Sequence, residues 1–238
     1  MKRSSLQRLT LAALVALGAA ACSTPFPGYR HEDMGPDQRL LALVDQIEQQ
    51  KANGGVPPET NGVVDGGRVY NELRRLSLDY PAHAPTLYVL ASETYEMGRR
   101  ERAGAYLDDI FDVQPRHPEA GVLRARIAIH EGNLSAARRV LEQQIRYTPD
   151  HSGLREALGS VLYMSGDLED ARAELERARR LGAPAWRVAF NLGLIEEAAG
   201  NHTLAMERYQ VSLRLNEEFA PAASRLAGLE AQFGEVER

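Results

Sequence analysis

The stretch that decides the fold reads GLREALGSVLYMSGDLEDARAELERARRL, residues 153–181. Leu154, Leu158, Val161 and Leu162 recur at three- and four-residue steps, which places one apolar stripe along a helix. Gly166 follows, where a helix ends in a left-handed residue that glycine adopts without strain. Asp167 then stands at the expected N-cap of a second helix, on which Ala171, Leu175 and Ala178 again step by four and three. Small residues at Gly159 and Ala171 let the two helices approach closely. One such pair cannot bury its apolar faces alone, so neighbouring pairs must stack on it.

The neighbours carry the same pattern at a period of 34. Gly98, Gly132, Gly166, Gly200 and Gly234 are each 34 apart, as are Ala103, Ala137, Ala171 and Ala205. Leu107, Leu141, Leu175 and Tyr209 keep the step, and so does a small series, Ala91, Ala125, Gly159, Gly193 and Ala227. With Gly at 20 of 238 residues, four further in-phase glycines arise by chance roughly once in 20,000, so the period is that of a repeated helix–turn–helix unit.

These positions resemble the tetratricopeptide repeat. Units counted from Ala84, Pro118, Ser152 and Trp186 carry Leu158-Gly159, Gly166, Ala171, Leu175 and Ala178 in the third, and Asn191-Leu192-Gly193, Gly200, Ala205 and Tyr209 in the fourth. Pro115 and Pro149 take the closing proline position. Arg124 departs from the family's Leu, and Ile110, Gln144 and Ser212 from its second Ala; the bulky fourth position reads Leu87, Gly121, Arg155 and Ala189. The resemblance implies an all-α, right-handed α-solenoid, with four repeats over 84–219 and a capping helix over 220–238. It covers nearly two-thirds of the chain and is nearly silent on activity.

Upstream, residues 1–21 have the marks of a targeting segment: Lys2, Arg3 and Arg8, an apolar core over 9–17, and small residues over 18–21. Cys22, the only cysteine, follows at once. The arrangement resembles a bacterial lipoprotein signal, which implies lipidation of Cys22 and a periplasm-facing place at the outer membrane. A single cysteine excludes an internal disulfide. Loss of residues 1–21 removes three basic and no acidic residues and takes the net charge from −5 to −8, which argues against nucleic acid as a partner. Residues 22–35 contain Pro25, Pro27, Gly28 and Gly35 and suit a tether. Pro36 and Asp37 open a helix ending near Lys51; residues 52–66 are a Gly- and Pro-rich loop; 67–80 is a second helix. Together, 36–83 make a divergent first repeat with an expanded turn.

The chemistry-bearing residues are sparse. His83, His117 and His151 are 34 apart, which in a solenoid separates them too far for shared metal ligation and makes them turn residues leading into helices. His130-Glu131 lacks the second histidine of a zinc-protease helix. No phosphate loop, nucleophile elbow or paired-cysteine motif is present. The expectation is a non-catalytic protein without cofactor or metal.

What remains is a surface. In the family, the first helices line a concave groove, and the corresponding positions here are Tyr88, Ser92 and Tyr95; Val122, Arg126, Ile129 and His130; Glu156, Ser160, Tyr163 and Met164; and Arg187, Phe190, Leu194 and Glu197. Rings and aliphatic groups with Arg at intervals suit a bound extended or helical peptide. The function this implies is a membrane-anchored scaffold that binds an envelope protein through the groove. Lipidated repeat proteins of this size resemble pilotins of pilus secretins and adaptors of peptidoglycan hydrolases. A repeat protein that itself processes glycans would need a pair of groove carboxylates, and no such pair stands out.

Overall fold

The computed structural model describes residues 34–52 and 67–233, which form eleven helices and, among the described residues, no strand. The targeting segment, Cys22, the tether to residue 33, residues 53–66 and Gly234 lie outside the described residues. The chain divides into two compact units, Met1–Pro115 and Arg116–Arg238.

The first unit contains α1 (Pro36–Ala52), α2 (Arg68–Asp79), α3 (Ala84–Glu96) and α4 (Arg100–Val113). Pro36 opens α1, where its missing N–H is not needed, and Asp37 sits at the positive end of the helix dipole. Leu40, Leu43, Val44 and Ile47 form the buried stripe of α1 and meet Val69, Tyr70, Leu73 and Leu76 of α2 and Val89 and Leu90 of α3. Arg39–Asp79 (3.2 Å) and Lys51–Glu93 (2.6 Å) link elements across this core. Such solvent-facing pairs add at most about 1 kcal/mol each, so apolar burial dominates.

The second unit runs α5 (Pro118–His130), α6 (Leu134–Tyr147), α7 (Ser152–Met164), α8 (Leu168–Arg180), α9 (Ala185–Ala198), α10 (His202–Leu215) and α11 (Ala220–Phe233). The second helices α4, α6, α8 and α10 begin at Arg100, Leu134, Leu168 and His202, each 34 from the last. Gly98, Gly132, Gly166 and Gly200 all have positive φ, between 73° and 86°. At Gly166 the amide bonds Tyr163 O (3.0 Å) and the next amide, Asp167, bonds Leu162 O (2.9 Å), which satisfies the last carbonyls of α7. Gly182, outside the 34-residue series, closes α8 in the same way at φ 87°.

The small residues of the pattern are needed by contact. A Cβ on Gly159 would lie 2.8 Å from Leu175 Cγ and 3.2 Å from Ala171 O, so only glycine lets α7 seat on α8. The departures from the family pattern compensate one another. Gln144 replaces Ala and needs room, and its Cγ would come within 2.6 Å of a Cβ at position 121, where the chain has Gly121. Its Oε1 accepts the His117 N–H (3.0 Å) at the start of α5. Ser212, also in place of Ala, donates to Trp186 O (2.8 Å) at the start of α9. Both polar substitutions pin the first helix of their own repeat, and both are buried with partners, as buried polar groups must be.

Two expectations change. Asp167 occupies the N-cap of α8 but makes no side-chain cap; its carboxylate is 3.3 Å from the Arg138 guanidinium instead. Asn133 does cap α6, accepting from Ala136 N (2.9 Å). The histidines do more than lead into helices. His117 and His151 cap α5 and α7 with Nδ1, accepting from Ala120 N (3.3 Å) and Leu154 N (3.2 Å). Glu119 lies between them, 3.4 Å from His117 Nδ1 and 3.5 Å from His151 Nε2. The carboxylate thereby ties two consecutive repeats, a link that sequence spacing does not reveal.

Helix α11 closes the second unit. Leu229 is buried and Leu226 and Phe233 are partly buried beside Tyr209. Ala227 is exposed, whereas its counterparts Ala91, Ala125, Gly159 and Gly193 are buried under the second helix of their repeats.

Candidate functional site

Helices α7 and α9 are neighbouring first helices of the second unit. Between them lies a hollow of ≈ 390 Å³, its open mouth included, lined by Gly159, Ser160, Tyr163 and Met164 of α7, Leu175 of α8 and Asn191 and Leu194 of α9. Gly159 and Leu175, packed against each other in the core, form its inner wall. Its rim carries Met164, 42% exposed, a soft and adaptable apolar contact.

One helical turn nearer the N-terminus of α7, Glu156 crosses to α9 and accepts from Arg187 Nη2 at 2.8 Å. Burial pushes the Glu156 carboxyl above the ordinary carboxylate range, although the guanidiniums of Arg187 and Arg126 pull the other way. The Arg187 guanidinium also lies over the Trp186 ring, 5.6 Å from its centroid. Trp186 in turn meets Phe219 edge to face at 4.7 Å, so the cation stands on an aromatic support. At the other end of α9, Glu197 accepts from Tyr209 Oη (2.6 Å) and from Arg225 (3.0 Å). Burial first, and this bond second, raise the Tyr209 phenol far above its ordinary value. The pair is a structural tie between α9, α10 and α11.

Of the residues expected on the face, Ser160, Tyr163, Met164 and Leu194 come together at the hollow. Arg126 and His130 are exposed on α5, with Val122 and Ile129 partly buried against the core. Phe190 is half-buried between rings, 5.7 Å from Tyr209 and 5.0 Å from Phe219, so it also serves packing. Tyr88, Ser92 and Tyr95, all half-buried on α3, belong to the first compact unit. Asn191 and Leu175 were not expected at the site. Asn191 is one residue from the expected Phe190, and Leu175 is a fully buried core position that the hollow reaches. Among the described residues no cluster of three His, Cys, Asp or Glu is placed to hold a metal ion.

Two family models, both described as tetratricopeptide repeat, match residues 94–159 and 156–224, together more than half of the chain. This chain is a tetratricopeptide repeat protein. It is 26% identical over 182 residues to human tetratricopeptide repeat protein 7B, an alignment that covers 69% of this chain and 22% of that protein. The chain thus spans under a quarter of that relative's length. Among solved structures it is similar to the tetratricopeptide protein TTC0263 of Thermus thermophilus, with TM-score 0.64 and 17% identity over 82% of this chain and 98% of that one. It is similar to the Cut9–Hcn1 hetero-tetramer of APC/C, with TM-score 0.71 and 14% identity over 97% of this chain and 40% of that one. YrrB, described as a repeat protein with an unusual peptide-binding site, aligns with TM-score 0.54 and 12% identity over 79% of this chain and 87% of its own. At these identities the likeness shows the fold alone. The tetratricopeptide fold suggests a scaffold for protein interaction, and proteins built on it are generally non-catalytic.

Proposed function

We propose that this repeat protein is a non-catalytic scaffold, anchored to the outer membrane through a lipid on Cys22, that holds an envelope protein on the face of its first helices. The observation that carries the binding half is the hollow between α7 and α9: apolar walls, an exposed Met164 rim and an ion pair one turn away. Such a surface offers anchor area and orientation without any group placed for bond chemistry. The anchoring half rests on the basic, apolar and small-residue run that ends at Cys22. The bound protein is a component of a pilus or secretion assembly, for which a lipidated scaffold supplies localisation.

The test is crosslinked capture from envelope membranes with the native chain, Cys22→Ala and Met164→Asp. Recovery of a secretin or pilus subunit, lost with Met164→Asp, supports the proposal. A murein hydrolase recovered in the same way would replace the pilus partner with the peptidoglycan pathway. Identical fractionation of native and Cys22→Ala chains would remove the lipid anchor.

A further inference from the structure

The second helices of the first unit carry a cluster of hydrogen-bond donors that the proposed scaffold function leaves unused. Tyr70 and Arg74 are four residues apart on α2, and Arg102 and Tyr106 are four apart on α4, so each pair shares one face of its helix. The order is reversed between the two helices: Tyr70 meets Arg102, and Arg74 acts on Tyr106. Three donors converge on the Tyr70 oxygen, namely the Thr94 hydroxyl of α3 at 3.4 Å, the Arg102 guanidinium and the Tyr106 hydroxyl. Burial pushes the Tyr70 phenol up, but these bonds more than offset it and hold the phenol below its ordinary value. Tyr70 itself is buried, whereas Arg74 and Arg102 are both exposed.

The cluster has more donors than acceptors. Neither Arg74 nor Arg102 forms an ion pair with a carboxylate of the described residues. Glu72 is held by Arg68 at 2.9 Å and Asp79 by Arg39, while Glu101 and Asp109, exposed on α4, pair with neither guanidinium. Tyr70 and Arg102 are each the third residue of their helix, and neither helix has a side chain capping its first amides. Two positive helix ends therefore add to the potential of the two guanidiniums. The planar fork of arginine matches phosphate oxygens, and a phosphate group carries close to two charges where a carboxylate carries one. We propose that Arg74 and Arg102, backed by the hydroxyls of Tyr70 and Tyr106, form a site for a phosphate group, carried by a soluble ester or by a lipid headgroup. The site belongs to second helices, apart from the first-helix face, and does not depend on the scaffold function proposed above.

The experiment titrates inorganic phosphate into the full chain in detergent micelles by calorimetry, with sodium chloride holding the ionic strength constant. Arg74→Gln and Arg102→Gln should each weaken binding by about tenfold, since each removes a charge-assisted bond. Arg75→Gln takes an exposed charge from another face of α2 and should change binding by less than about twofold. Acetate in place of phosphate should bind about tenfold more weakly. Melting temperatures record that each variant is folded; if Arg102→Gln is lowered by loss of its bond to Tyr70, Arg74→Gln carries the test. Flotation of the Cys22→Ala chain with phosphatidylcholine vesicles containing phosphatidic acid separates the two sources. Co-flotation that Arg102→Gln abolishes supports the site with a lipid headgroup as its ligand, and phosphate binding without co-flotation supports it with a soluble ester. Absence of both phosphate binding and co-flotation, equal binding of acetate, or equal weakening by Arg75→Gln would overturn the proposal.

Discussion

Gly193 and Tyr209 are matched in size across α9 and α10: a Cβ on Gly193 would lie 2.5 Å from Tyr209 Cε1 and 2.7 Å from Cδ1. The ring fills the space that the glycine leaves, is wholly buried, and is held at its far end by Glu197. Elsewhere in the 34-residue series the same place is taken by Leu107, Leu141 and Leu175.

Gly193→Ala must push that ring aside or separate the helices. Overpacking of this kind costs about 1–3 kcal/mol and outweighs the better helix propensity of alanine, about 1 kcal/mol. Gly228→Ala is the control. Nothing lies within 4 Å of a Cβ there, and the residue is exposed on α11, so the exchange should stabilise by up to about 1 kcal/mol. Urea unfolding of both variants decides, and equal signs for the two would refute the close-contact explanation.

Gly166→Ala isolates backbone strain from packing, since φ is 86° and no atom lies within 4 Å of the added carbon. A left-handed alanine should cost about 1–2 kcal/mol. A thermal midpoint equal to that of the unaltered chain would show that the turn relaxes.

Leu158 lies in the core of the second unit with 6% exposure. Its truncation to Ala should cost about 2–5 kcal/mol by lost burial and a residual cavity. Denaturant midpoints at a constant slope measure it; a loss under about 1 kcal/mol would contradict the buried placement.

The Glu119 tie makes stability depend on pH. Burial pushes its carboxyl up, but hydrogen bonds from His117 and His151 more than offset this and hold it well below the ordinary range. His117 Nδ1 faces both the Ala120 amide and the Glu119 carboxylate and serves one of them at a time, set by the ring's tautomer. A depressed carboxyl contributes stability above its unfolded pKa, about 4.3, which is lost as pH falls towards the folded value. Glu119→Gln should therefore destabilise by about 1–3 kcal/mol at pH 6 and by less at pH 3. An offset that stays constant over that range would mean that the carboxylate's charge plays no part.

The helix pairs were legible because each is a local device repeated: a stripe at three- and four-residue steps, a left-handed glycine, a small residue facing a large one. Gly98, Gly132, Gly166 and Gly200 have the backbone geometry that their spacing predicts. The groove positions were legible only as a list of candidates. Tyr163 and Met164 adjoin a hollow between α7 and α9, whereas Phe190, another candidate position, is packed between Tyr209 and Phe219.

By itself, then, the sequence determined the period, the helix boundaries and the stacking of apolar faces, since these follow from backbone preference and from burial summed over a repeating unit. Tertiary structure alone decided the Gln144–Gly121 exchange of volume, the His117–Glu119–His151 tie and the Glu156–Arg187 pair beside the hollow. Each of these depends on which side chains from different helices meet within a few ångströms. Contacts of that kind depend on packing distances and on the volume of both partners, and no spacing along one helix contains them.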